Sequence, residues 1–127
     1  MLQMLLFVAA GGALGAVGRY LTVIGVGAVM GHGFPFGTLV VNVLGSFILG
    51  ALVETMALKW SVSQEVRALL VVGMLGAFTT FSTFSLDVIV QLERGQLVPA
   101  AVYILSSVTL SVLALFAGLR LMRVVLS

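Results

Sequence analysis

The stretch Gly76-Ala77-Phe78-Thr79-Thr80-Phe81-Ser82-Thr83-Phe84-Ser85 concentrates groups that can do chemistry. Five of the seven residues from Thr79 to Ser85 carry hydroxyls. A single hydroxyl in a helix can bond back to a carbonyl one turn earlier. Five together compete with the backbone for its own hydrogen bonds, and predict an unwound stretch. Glycines here mostly pack helices, and Gly73 and Gly76, just ahead of the run, are the best candidates among them to mark a helix break. Unwinding frees carbonyl oxygens, which suit a hard cation such as Na+. Phe81 and Phe84, three residues apart, can share one helical face. Such a pair either packs as an apolar stripe or presents its electropositive ring edges to an anion.

Two polar tracks recur at helical spacing elsewhere. Thr38, Asn42 and Ser46 fall at i, i+4 and i+8, and Tyr103, Ser107 and Ser111 repeat that pattern. Each track forms a ladder of hydrogen-bonding groups along one side of its helix. The serines serve equally well as glue between helices, at about 0.6 kcal/mol per bond. Asn42 carries an amide that is costlier to place in lipid, which favours a functional role. Arg19 is costlier still. Its guanidinium either snorkels to the interface or faces a partner helix or an aqueous vestibule. His32, the only histidine, has no carboxylate placed to orient it and reads as an ordinary loop residue; catalysis has no foothold.

The elements that position these groups follow from charge distribution. Of the 127 residues, 61% are hydrophobic and 8% charged, against about 25% charged in an ordinary soluble domain. Too few charges remain to coat a water-facing surface, which excludes a soluble enzyme, a nucleic-acid reader and a disordered chain. No cysteine is present, so disulfides and thiolate metal sites are excluded. Charges are missing from residues 1–18, 20–53, 68–86 and 95–119. A membrane helix needs about 20 apolar residues, and Gly31-His32-Gly33-Phe34-Pro35 divides the longest gap. Four spans are therefore predicted, at approximately 3–29, 35–58, 66–91 and 97–122, forming one all-α transmembrane domain over residues 1–127. The first residues lack the basic segment and cleavage site of a signal peptide and are expected to begin the first span.

An even number of spans places both termini on one side with Lys59, Arg67, Arg120 and Arg123, against Arg94 with or without Arg19 on the other. That modest bias favours cytoplasmic termini. Glycines such as Gly11, Gly15, Gly45 and Gly50 are expected to let helix backbones approach closely. Glu54, Asp87 and Glu93 fall near span ends and Glu65 in a loop. A proton-coupled exporter of organic cations needs a carboxylate deep in the membrane. The spans offer hydroxyls, one amide, one guanidinium and ring edges instead, a lining suited to a small anion.

Three segments together, Gly11 to Tyr20, Gly37 to Phe47 and Gly73 to Ser85 with its Thr-Thr-Phe-Ser-Thr-Phe-Ser string, resemble the microbial fluoride channels, the Fluc or CrcB family. The resemblance covers nearly the whole chain in length, span count and motif order. It implies an antiparallel, dual-topology homodimer of four-helix subunits, with the third helix broken mid-membrane and two fluoride pores at the subunit interface. Phe81 and Phe84 match the pore phenylalanines and Asn42 the pore asparagine. Ser82 and Thr83 belong to the same pore string, and Tyr103, Ser107 and Ser111 match the fourth-helix polar track. Arg19 matches the vestibule arginine. Gly76 and Thr79 match the positions whose carbonyls, from both subunits, hold a structural Na+. The implied function is passive, fluoride-selective export across the inner (plasma) membrane of a prokaryote, conferring fluoride resistance. Near-zero charge bias, which two opposite insertions call for, is not what the charge count gives. The alternative is a small four-helix multidrug-type cation/proton exporter, disfavoured because its first-helix glutamate has no counterpart here. A membrane assembly subunit is a third reading.

Overall fold

The computed structural model describes all 127 residues. Helix α1 runs Leu2–Met30 and α2 Phe36–Leu58. The third span, Gln64–Glu93, is composite. It begins with α3 (Gln64–Arg67), continues as a π-helical stretch (Ala68–Leu75) and α4 (Gly76–Phe78), and resumes as α5 (Phe81–Glu93). Helix α6 (Leu97–Leu126) completes the chain. All four spans are long and apolar enough to cross a bilayer. Only 19 of 127 residues are buried within the subunit. Side chains such as Leu14, Val72, Leu105 and Val112 are more than half exposed along the spans. In water that surface would drive aggregation; in lipid it is the expected exterior. The chain is a multi-pass membrane protein.

Lipid offers no hydrophobic drive to bring helices together, so packing depends on close backbone approach. Helices α1 and the π-helical stretch meet through Gly11, Gly15 and Gly73. A Cβ on Gly11 would overlap the Leu69 carbonyl, one on Gly15 the Met74 carbonyl, and one on Gly73 would crowd the Val8 carbonyl at 2.6 Å. Helices α2 and α6 cross at Gly50 and Gly118, where a Cβ would strike the carbonyls of Leu115 and Phe47 respectively. These obstacles are backbone atoms, which no rotamer change relieves. Gly118→Val is therefore expected to destabilise the subunit by about 1–3 kcal/mol through overpacking. Gly12, whose added Cβ meets nothing, is the control: thermal unfolding in detergent should separate Gly118→Val from a near-unchanged Gly12→Ala.

Gly73 and Gly76, the candidate glycines for a break, are both helical. The interruption falls at the start of the hydroxyl run, at Thr79 and Thr80, whose backbones are extended (φ/ψ −88°/156° and −153°/121°). Thr80 is the N-cap of α5, its hydroxyl accepting from the Thr83 N–H at 3.1 Å. A side-chain oxygen there satisfies one of the orphaned amides that begin a helix. The hydroxyl run thus both ends one helix and starts the next. His32 folds over α1 at Gly27, where an added Cβ would lie 2.5 Å from its ring. At the far end of α2, Glu54 is buried and accepts from Arg123 of α6 at 3.0 Å.

Candidate functional site

The break is held from both sides by side chains of other spans. From α2, Asn42 Nδ2 donates to the Thr80 carbonyl at 3.0 Å, and Asn42 Oδ1 accepts from the Thr80 N–H at 2.7 Å. The carboxamide thereby replaces a peptide neighbour for Thr80 in both directions. One of its two amide hydrogens remains free for another acceptor. From α1, Arg19 Nε donates to the Ala77 carbonyl at 3.1 Å, and Nη1 lies 3.5 Å from the Thr83 hydroxyl. Arg19 thus meets the carbonyl end of a helix, where the backbone dipole favours a cation.

Four carbonyls, those of Gly76, Ala77, Phe78 and Thr79, lose their usual helical donors at this point, and Arg19 takes up that of Ala77. In an unbroken helix the Thr80 N–H would donate to the Gly76 carbonyl, and the Thr83 N–H to the Thr79 carbonyl. Here the first goes to Asn42 and the second to the Thr80 hydroxyl. The Gly76 and Thr79 oxygens are therefore released, and neutral carbonyl oxygens have the donor chemistry that a hard monovalent cation takes.

Beside the break lies a cavity of about 310 Å³. It brings together Asn42 and Ser46 of α2, Thr79 and Thr80 of the break, Phe81 and Phe84 of α5, and Ser107 and Ser111 of α6. The Phe81 and Phe84 rings are 5.5 Å apart and inclined at 46°. Phe84 is buried, whereas Phe81 is 76% exposed within the subunit. The hydroxyls of Ser107 and Ser111 are buried without any hydrogen-bond partner, an unusual condition that leaves two donors directed at no protein acceptor.

A second cavity, about 330 Å³, is bordered by Arg19, Tyr20, Thr38, Thr80 and Thr83. Thr80 borders both cavities. Thr83 lies on the Arg19 side, and Ser82 borders neither, its hydroxyl standing 3.3 Å from that of Thr80. Tyr103 is fully buried behind Phe84, ring centroids 5.0 Å apart. Its hydroxyl donates to Asp87 Oδ2 at 2.9 Å, so it already has an acceptor. Asp87 was invisible as a neighbour because the sequence separates the pair by 16 residues. Thr80 had a legible signal, since a threonine just ahead of an apolar-periodic run is a common helix start.

Residues 6–119 match the family model described as CrcB-like protein, Camphor Resistance (CrcB). The chain belongs to the CrcB-like family. Its relatives include proteins named fluoride-specific ion channel FluC in three bacteria. That of Chelativorans sp. (strain BNC1) is 57% identical over 122 residues, covering 96% of this chain and 98% of the relative. That of Nitrobacter winogradskyi is 52% identical, covering 95% and 96%, and that of Rhodospirillum centenum 53%, covering 96% and 97%. The membrane in question is thus the inner membrane of a prokaryote. In this CrcB-like chain the residues singled out by type and spacing fall around one structural event, the interruption at Thr79–Thr80. Asn42 and Arg19 hold it, and Ser107, Ser111 and the two phenylalanines stand beside it.

Proposed function

We propose that the chain is a passive, fluoride-selective channel that exports fluoride across the cell membrane and so confers fluoride resistance. The observation that carries this reading is the pair of buried, unpartnered hydroxyls, Ser107 and Ser111, beside phenyl rings and the amide of Asn42. Fluoride is small and strongly hydrated, and entry requires that its water be replaced by closely spaced donors. Hydrogen bonds to a charged partner contribute about 1.5–3 kcal/mol each. Several in sequence offset much of the dehydration cost, and each stays weak enough to release the ion. Ring edges add weaker electropositive contacts. Larger halides fit such a site poorly. The relatives described above bear fluoride-channel names at 52–57% identity, and none of them supports the multidrug-type exporter.

The working unit is a homodimer of oppositely inserted copies. Phe81 is exposed at mid-span beside a polar cavity, and neither polar side chains nor broken backbone is stable against lipid. A second copy covers both and closes the pore between subunits. In that assembly the released carbonyls of Gly76 and Thr79 would hold a structural Na+, which would supply a fixed positive charge and bind the two breaks together. One copy offers two such oxygens; two copies offer a shell.

Efflux from liposomes containing the purified protein tests the activity. Under equal imposed gradients, fluoride is expected to leave at least about 100-fold faster than chloride, a difference of about 2.7 kcal/mol in barrier. Equal rates for the two anions, or none for either, would sink the selective-channel reading.

A further inference from the structure

Hydroxyls in the helices of this protein differ in their partners: some bond to the backbone of their own helix, some to another side chain, and some to neither. Among the first, Thr22 bonds to the Gly18 carbonyl at 2.8 Å, Thr55 to Ala51 at 2.7 Å, Ser85 to Phe81 at 2.9 Å and Ser106 to Val102 at 2.6 Å. This is the ordinary way a helix quiets a hydroxyl in an apolar medium. Ser107 and Ser111 differ: their hydroxyls are buried with no hydrogen-bond partner, and half-buried Ser46 lines the same cavity with them. Ser107 and Ser111 belong to the α6 track. Ser46 lines the cavity from α2, and its neighbour Gly45 presses α2 onto the break: a Cβ there would overlap the Thr79 methyl group. Ser46 also lies one turn beyond Asn42, on the same helical face.

We infer that Ser46 is a specificity-determining residue of the fluoride site, its hydroxyl donating to the anion from the α2 wall while Ser107 and Ser111 donate from the α6 wall. The inference rests on the channel reading and adds a donor to it. Two donors on one wall hold an ion against that wall. A third from a different helix, with the free amide hydrogen of Asn42, adds donors from a second wall, which favours the smallest and most strongly hydrated halide over larger ones. The role belongs to the hydroxyl and not to the side-chain volume.

Fluoride efflux from liposomes carrying the full-length protein tests this directly. Ser46→Ala is expected to lower the fluoride rate and raise the half-saturating fluoride concentration, each by at least about tenfold, as loss of one hydrogen bond to an ion implies. Ser46→Thr, which retains the hydroxyl, should stay within about twofold of wild type on that same scale. Ser106→Ala, whose hydroxyl already serves its own helix, should leave efflux unchanged. Alanine is well tolerated in helices, and an unchanged size-exclusion profile verifies that Ser46→Ala folds and assembles. Wild-type fluoride efflux with an undiminished Ser46→Ala variant overturns the role of Ser46 and leaves the channel reading standing. Loss in Ser46→Ala that Ser46→Thr fails to restore overturns it too, because the hydroxyl is then not the cause. Absence of fluoride efflux from the wild-type protein overturns the channel reading itself.

Discussion

Asn42→Ala is expected to reduce fluoride efflux by more than tenfold while leaving four spans in the membrane. The substitution removes both bonds that hold Thr80 out of the helix. A buried backbone group left without a partner costs about 1–3 kcal/mol, and here both the N–H and the carbonyl of Thr80 would be left. The chain has a cheap remedy: the Thr80 N–H can return to the Gly76 carbonyl four residues earlier, rebuilding a continuous helix through the break. That remedy takes back the Gly76 carbonyl and moves Phe81 and Phe84 relative to the α6 serines. Transport is then lost through geometry as well as through loss of an amide donor. Hydrogen exchange distinguishes the two, since the Thr80 amide should become as slow as its helical neighbours in Asn42→Ala. Asn42→Asp keeps an acceptor for the Thr80 N–H but loses the donor to its carbonyl and sets a negative charge beside the anion path. It should also fail to conduct. Efflux within about twofold of wild type in Asn42→Ala, well below the tenfold that about 1.4 kcal/mol represents, would show that the clamp is dispensable.

The dual duty of Asn42 shows what was legible in the sequence and what was not. The i, i+4, i+8 spacing placed Asn42 and Ser46 on one face, and a run of five hydroxyls announced a broken helix. Both are local properties, and local properties survive folding. The break falls within that hydroxyl run, while the two glycines ahead of it, candidate breakers by type, stay helical. In this membrane protein Gly73 is needed where α1 passes within contact of the third span, and a helical glycine makes that approach possible. The break is fixed instead by a threonine N-cap and a tertiary amide clamp. The cap has a sequence signal; the clamp joins residues 38 apart and has none. The commitment of the Tyr103 hydroxyl to Asp87 was hidden for the same reason. Spacing along a helix shows which side chains could donate to an ion, but only packing shows which of them already have an acceptor.

Phe81→Ala is expected to lower fluoride efflux by at least tenfold while leaving the fold of the individual subunit nearly unchanged. The two halves of that expectation have separate causes. Within the subunit the Phe81 ring is 76% exposed and its recorded aromatic contact is with Phe84 alone, so truncation removes little internal packing. Phe84 is the contrast: it is 8% exposed and packed between Phe81 and Tyr103. Phe84→Ala would empty a buried volume and is expected to lower thermal stability and efflux together, since large-to-small changes of a buried ring cost about 3–5 kcal/mol. A ring as exposed as Phe81, set at mid-span beside unpartnered hydroxyls, contributes through what it faces, which in the proposed dimer is the ion path. Phe81→Leu then separates shape from electrostatics. Leucine keeps an apolar side chain but lacks the quadrupole that makes a phenyl edge electropositive. If ring edges contact the ion, Phe81→Leu should conduct as poorly as Phe81→Ala, and the wild-type fluoride preference should fall with the rate. Leucine restoring wild-type efflux would reduce Phe81 to a packing residue, and unchanged efflux in Phe81→Ala would move the pore away from this face of α5 altogether.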